Sequence, residues 1–434
     1  MTAKANTSRR KLLLGGLALG SLGAAAALRP SDRGAAHSDY FQQLSGALDR
    51  AQLAQPTLVV DKQALQQNIK NLKTHIGDDY HYRVVGKSLP SLPLLKTVME
   101  GTKTQRLMMF HQPFLNQVVS KFPGSDVLMG KPMPVAAAAN FYQQLENGAQ
   151  FDSSRQLQWL VDTPERLLQY QQLAQQLSIT LQINIELDVG LHRGGVNSDE
   201  QLQAMLTLIE SDPALSLSGF MGYEPHVAKL PGDKLAARDK AMGIYSQRLS
   251  AAEKITGRDL SQLTLNAAGS PTYRYYCGEN RKTTFPQNEL AAGSCLVKPQ
   301  DFDLPSLADH RPASFIASPV LKALDTTQLP GDMGIGKLMS LWNPNRRRAF
   351  FGYGGYWKAK PHSPEGLSFN PLFGRSTNQE MYNGSTRVPL SADDWMFLRP
   401  TQSEFVFLQF GDIAVFDSEQ GEIVDLWPVF TAGV

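Results

Sequence analysis

A chain of 434 residues with 42% hydrophobic content has room for two domains and can bury a large core. Its 42 basic and 40 acidic residues leave a formal charge of +2, which offers no electrostatic footprint for a nucleic acid. Two cysteines, Cys277 and Cys295, exclude a disulfide framework and are not spaced as a metal site; two free thiols or one bridge between them remain open.

Residues 1–30 read as an export signal. Arg9 and Arg10 stand directly before a Gly- and Ala-rich apolar run from Leu12 to Leu28, and Ala24 to Ala27 offer small residues to a signal peptidase. The paired arginines resemble a twin-arginine signal; a general secretory signal or an uncleaved anchor is the other reading. The expectation is a periplasmic protein that meets the membrane only transiently during export. The twin-arginine route carries proteins already folded, which suits an enzyme that loads a cytoplasmic cofactor first.

Residues 31–54 read as a polar linker followed by an amphipathic helix with Ser38 as a possible cap. Residues 55–80 hold a strand, Thr57 to Asp61, that would join the C-terminal domain, and a helix from Leu65 to Ile76. From 81 to 310 strand-like and helix-like segments alternate, with candidate strands such as Gln105 to Phe110, Leu181 to Leu187 and Leu215 to Met221. That alternation predicts an α/β fold, an eight-stranded β/α barrel. A Pro-rich boundary, Lys298 to Pro312, precedes a C-terminal β-rich domain over 311–434. Its expected strands include Ser314 to Val320, Trp395 to Arg399 and Glu404 to Gln409, and residues 330–390 read as a long loop.

Several short strings carry chemistry-bearing residues. Lys87 ends the run His81 to Ser88, where the first barrel strand would finish. Glu186-Leu187-Asp188-Val189-Gly190-Leu191-His192-Arg193 ends another strand, and Gly222-Tyr223-Glu224-Pro225-His226 a third. Ala268-Gly269-Ser270-Pro271-Thr272-Tyr273 forms a small-residue turn after Leu263 to Asn266, and Asn288 to Gly293 follows. A lysine at a barrel mouth can hold an aldehyde as a Schiff base. Backbone N–H groups of a small-residue turn, helped by hydroxyls, can hold a phosphate.

In their order and spacing these strings resemble the pyridoxal 5'-phosphate (PLP) enzymes built on the alanine-racemase barrel. Within them the chain is most similar to the D-threonine aldolase and D-serine dehydratase-like group. The resemblance covers residues 55–300 well and the remainder loosely. It implies that Lys87 binds the cofactor and acts in catalysis, and that Arg193 touches the cofactor ring oxygen or the substrate carboxylate. It places Tyr223, Gly269, Ser270 and Thr272 on the cofactor, and makes His192 and His226 substrate-side or orienting groups; His226 reads equally as a structural histidine. It also implies a homodimer acting on a small, D-configured amino acid.

The C-terminal part departs from that group. Where its members carry a His-x-Cys metal pair after a proline, this chain has Pro400-Thr401-Gln402-Ser403-Glu404. Amide plus carboxylate is a poor replacement for imidazole plus thiolate, so no metal is expected. Gly352-Tyr353-Gly354-Gly355-Tyr356-Trp357-Lys358 faintly resembles the racemase segment that supplies a second base across a dimer interface, which makes Tyr353 the candidate for that role or part of a structural loop. Three functions follow: a PLP-dependent lyase, a racemase using Lys87 and Tyr353, or a PLP or amino-acid binder without turnover.

Overall fold

The computed structural model of the chain describes residues 28–431 except 146, 147, 149, 329, 330 and 332–334, so Arg9 and Arg10 lie outside the described residues. The chain divides into two units. One comprises the segments up to Pro56 and Ile316–Leu398, the other Thr57–Phe315 and Arg399–Val434.

The larger unit opens with β1 (Thr57–Asp61) and continues with β2 (His81–Val85), β3 (Arg106–Met109), β4 (Asp126–Met129) and β5 (Leu157–Val161). β6 (Leu181–Leu187), β7 (Leu215–Gly222), β8 (Thr264–Ala267) and β9 (Glu289–Ala292) follow. Strands β2 to β9 close a parallel barrel, with β9 returning to β2 in the register Tyr82 to Leu290. Runs such as Val127-Leu128-Met129 are apolar on both faces because helices cover the outside while side chains fill the interior.

The covering helices follow from local sequence. Pro164–Leu177 starts where the Thr163 side chain accepts the Arg166 N–H and stops where Ser178 turns left-handed. Its buried Leu167, Tyr170, Leu173 and Ala174 recur at helical spacing and face the barrel. Each such leucine contributes about 2 kcal/mol by leaving water.

A polar layer crosses the barrel interior. Arg83, fully buried, donates to both Glu289 oxygens at 2.5 and 2.9 Å and to Asp126 at 2.9 Å. Arg106 and Asn266 each add a bond of 2.8 Å to Glu289. Burial alone would raise the Glu289 carboxyl, but Arg83 and Arg106 overcome it and hold the group below its ordinary value.

The smaller unit is β-rich. It holds most of β10 (Ser314–Leu324), then β11 (Arg348–Tyr353), β12 (Ala359–Ser363), β13 (Ser368–Phe369), β14 (Gln379–Gly384) and most of β15 (Trp395–Pro400). β11 lies antiparallel between β10 and β14, and β15 pairs with β10 on its other side. The helix Asp39–Arg50 packs here, with the Phe41 and Phe397 rings 4.9 Å apart and the Trp395 indole donating to Asp49 at 2.8 Å.

Two expectations fail in this region. Residues 330–390 are not one loop: they contain the helix Ile335–Trp342 and strands β11 to β14. Their short, Gly-interrupted, aromatic-rich runs hid the alternation, and packing such as Phe369 against Tyr382 at 5.4 Å stabilises strands that local sequence does not announce. Nor is 311–434 one unit, since the chain after Leu398 rejoins the barrel unit. There β16 (Ile413–Asp417) pairs in parallel with β1, and β17 (Glu422–Trp427) pairs antiparallel with β16. The run expected as a strand from Glu404 is instead a short 3-10 turn, Phe405–Gln409, because a brief apolar run does not distinguish the two.

Candidate active site

The barrel mouth holds a pocket of about 580 Å³, its open side included. Lys87 reaches it from the 3-10 turn Gly86–Ser88, which follows β2 directly. The Lys87 Nζ stands 4.7 Å from the centre of the Phe110 ring and 3.0 Å from Glu404 Oε1. Val85, Met108, Met221 and Ala291, from four different strands, make the apolar wall.

Arg193 enters from the loop after β6. That loop is knotted around Asp188, whose carboxylate accepts the N–H groups of Gly190 and His192, each at 3.0 Å, and meets the His192 ring at 2.7 Å. Burial alone would raise the Asp188 carboxyl; the bonds from His192 and Gly190 outweigh it and hold the group low. Arg193 lines the pocket with its guanidinium 5.3 Å from the centre of the Tyr223 ring. Burial pushes the Tyr223 phenol up to about 12, Glu224 adds to this, and Arg193 opposes it.

The turn after β8 is built from both sides. A Cβ on Gly269 would lie 2.7 Å from the Tyr223 ring, so only glycine lets the turn approach it without a shift. Ser270, 7% exposed, accepts N–H bonds from Gly293 at 3.0 Å and Cys295 at 3.1 Å. Gly293 is close-packed as well, since a Cβ there would meet the Val85 carbonyl at 2.6 Å. Ser294 donates to Ser88 at 2.8 Å in the same pocket.

Lys87, Arg193, Tyr223, Gly269 and Ser270 therefore share one pocket. Thr272 does not line it: fully buried, it donates to Glu224 at 2.7 Å and accepts the Gly269 N–H at 3.1 Å, so it supports the turn from outside the cavity. A threonine one turn beyond the cavity looks the same in sequence as one inside it. His192 is 82% exposed and turned to Asp188. His226 also lies outside the lining, facing Gly190, with its Nδ1 buried and unpartnered among the described residues. Burial, then the neighbouring His192, lowers the His226 imidazole. Tyr353 ends β11 in the other unit, 43% exposed. Neither cysteine is bridged; both are buried.

Sequence reasoning missed Phe110, Asn266 and Ser294 as lining residues, and it treated Glu404 only as a replaced metal ligand. For Glu404 no sequence signal was available, because it meets Lys87 only when the chain beyond Arg399 folds back onto the barrel unit. Phe110 and Asn266 carry no mark that separates them from ordinary core.

The residues fit PLP. An amine can take the aldehyde, the Ser270 hydroxyl, its oxygen fixed by the Gly293 and Cys295 N–H groups, can donate its hydrogen to a phosphate, and the apolar wall with Phe110 and Tyr223 suits a flat ring. The model of the family described as alanine racemase, N-terminal domain, matches residues 60–297. No curated protein matches the chain. Solved structures do. D-threonine aldolase from Filomicrobium marinum superposes with a TM-score of 0.66 at 14% identity, covering 86% of this chain and 94% of that one. D-threo-3-hydroxyaspartate dehydratase from Delftia sp. HT23 gives 0.64 at 15%, covering 87% and 98%. Alanine racemase from Bacillus anthracis gives 0.60 at 16%, covering 86% and 97%. At these identities the likeness is one of fold.

Proposed function

The chain belongs to the alanine racemase N-terminal domain family, and on that premise we propose that it is an exported PLP-dependent enzyme acting on a small, D-configured amino acid. Its reaction is a lyase reaction of the D-threonine aldolase or D-serine dehydratase-like kind. The observation that carries the reading is the placing of Lys87 at the end of β2, in one pocket with Arg193, Tyr223 and Ser270. The cofactor, when bound, supplies an electron sink that weakens bonds at the substrate Cα.

The chain's own residues do the rest. Lys87 would hold the aldehyde, and its free amine would move protons at the substrate Cα. The Ser270 hydroxyl, its oxygen fixed by the Gly293 and Cys295 N–H groups, would donate to the phosphate, with Glu224 and Thr272 fixing the turn that carries it. Arg193, always charged and donor-only, holds an anionic oxygen of ring or substrate. Tyr223 forms part of the wall and keeps its proton.

Borohydride reduction of PLP-loaded protein followed by peptide mapping tests this. The pyridoxyl group is expected on Lys87 and absent from Lys87→Ala; a label elsewhere, or no PLP uptake by wild type, defeats the reading. Incubation with D- and L-amino acids, scored together for keto acid, aldehyde and inverted isomer, identifies the reaction. Inverted isomer that disappears in Tyr353→Phe would establish the racemase alternative, with Tyr353 of a second copy as the opposing base. Export rests on Arg9 and Arg10: replacing both by lysine is expected to leave the precursor uncleaved in the cytoplasm, and normal delivery would indicate the general secretory route.

A further inference from the structure

Glu404 is the one carboxylate among the described residues that line the pocket, and its Oε1 lies 3.0 Å from the Lys87 Nζ. Neighbouring residues build this contact. Ser403, fully buried, donates to Ser294 at 3.4 Å, and Ser294 donates to Ser88 at 2.8 Å. Three hydroxyls thus tie the residue before Glu404 to the residue after Lys87. On the other side of Glu404 the turn Phe405–Gln409 is anchored by buried Val406 and Phe407, and the Phe407 N–H donates to the Ser403 carbonyl at 3.0 Å. The backbone therefore presents the carboxylate where the free lysine amine stands.

On the PLP reading above, Lys87 alternates between a form bonded to the cofactor aldehyde carbon and a free form. An incoming amine arrives as an ammonium ion and bonds to that carbon as the bond to Lys87 breaks. Two of its protons pass to Lys87, which leaves as an ammonium ion. The linking nitrogen carries one proton before and after, and no oxidant or co-reactant enters. Free Lys87 offers Glu404 three N–H donors and a full charge, whereas the bonded form offers at most one donor.

We propose that Glu404 is a positioning residue for the released lysine: it receives the Lys87 ammonium when an amine takes its place on the cofactor, and so shifts the exchange towards the substrate-bound state. The same pairing opposes cofactor uptake, because bonding to the aldehyde takes the ammonium away from Glu404. The two effects have opposite signs, which a loss of packing would not produce. With the side chains 35% and 42% exposed, the pair acts as a solvent-exposed one, so it moves an equilibrium by about two- to fivefold and yields to salt.

The test is a pair of titrations that need no turnover. Apoprotein is titrated with PLP, and PLP-loaded protein with D-alanine and with ethylamine, which has no carboxylate to engage Arg193; visible absorption reports each equilibrium. Glu404→Gln, with its melting temperature checked, is expected to bind PLP as tightly as wild type or more tightly, and to exchange with both amines more weakly by about twofold or more. Glu404→Asp keeps the charge and should lie between the two. In wild type alone, ethylamine exchange should weaken as salt rises from about 0.05 M to about 1 M, and the gap to Glu404→Gln should close. Exchange in folded Glu404→Gln that matches wild type, weaker PLP binding by that variant, or wild-type ethylamine exchange that ignores salt or gives no spectral response each overturns the proposal. Wild type that takes up no PLP on Lys87 would defeat the reading beneath the proposal and the proposal with it, whereas a loaded protein that fails any of these comparisons defeats the proposal alone.

Discussion

Thr272 donates its hydroxyl to Glu224 across 2.7 Å, so the turn after β8 is tied to the end of β7 by a carboxyl group with no access to water. Glu224 also accepts the Ala268 N–H at 3.2 Å. Burial raises the Glu224 carboxyl, with the Thr272 bond opposing it.

Removing the hydroxyl leaves that buried group short of a partner. Thr272→Val is therefore expected to cost about 1–3 kcal/mol of stability and to loosen the turn that carries Ser270. Equilibrium unfolding and PLP retention on dialysis measure the two effects. Thr272→Ser keeps the donor and should stay close to wild type in both; equal losses in Ser and Val variants would show that shape, not the hydrogen bond, matters here.

The barrel interior offers a sharper stability test. Glu289→Ala would leave Arg83 charged and fully buried beside Asp126 alone, at an expected cost of about 3–5 kcal/mol. Replacing both partners, Arg83→Met with Glu289→Leu, should recover part of that loss, because the unpaired buried charge is gone while Asn266 and Arg106 still lack the acceptor that Glu289 gave them. Denaturant midpoints of the two variants give the comparison.

A third expectation concerns pH. Burial, and then Asp162, push the Glu186 carboxyl from 4.5 up to about 7, while Arg193 pulls the other way. The fold thus holds a proton that the unfolded chain has already released. The stability tied to that proton is complete below 4.5 and is lost as pH rises through about 7. Glu186→Gln cannot lose it, so the variant should match wild type near pH 4 and exceed it by about 1–3 kcal/mol at pH 8. Melting curves across that range check the sign.

The fourth concerns metal. Glu404, at the position where aldolase-like relatives are expected to carry a thiolate, is engaged with the Lys87 ammonium, and Gln402 brings a neutral amide. Such a pair binds zinc poorly. Turnover of the true substrate should survive chelator treatment once PLP is replenished. Loss restored by zinc or manganese, and not by PLP, would mean that other residues have rebuilt the site.

Much of this was legible in the sequence, for physical reasons that differ by residue. The barrel was readable because apolar runs such as Ile183 to Leu187 recur between helical patterns with capped starts, Thr163 and Ser198 among them. Lys87 and Arg193 were readable because each follows a strand-like run, Lys87 in the turn directly after β2 and Arg193 in the loop after β6. Thr272 was misplaced because sequence gives the turn but not which side of it faces the cavity. β11 to β14 were missed because their stability lies in partners far along the chain, as where Arg348 pairs with Gly384. The pairing of β1 with β16 agrees with the reading of Thr57 to Asp61 as a strand that joins the C-terminal part, but no local pattern says that the chain from Arg399 onward groups with the barrel unit, where Lys62 and Gln63 also bond Asp417.

That pairing bears on how the barrel could be reused. β1 is buried along its whole length, and its register runs from Val59 against Ala414 to Asp61 against Phe416. A gene fragment ending soon after the last barrel strand would keep the lysine, yet it would expose a bare apolar edge to other chains and omit Glu404. The barrel is therefore not a transplantable cassette. Grafts, fusions and shuffled libraries must carry the tail from Arg399 onward, which brings both the partner strand of β1 and the Glu404 carboxylate that meets Lys87.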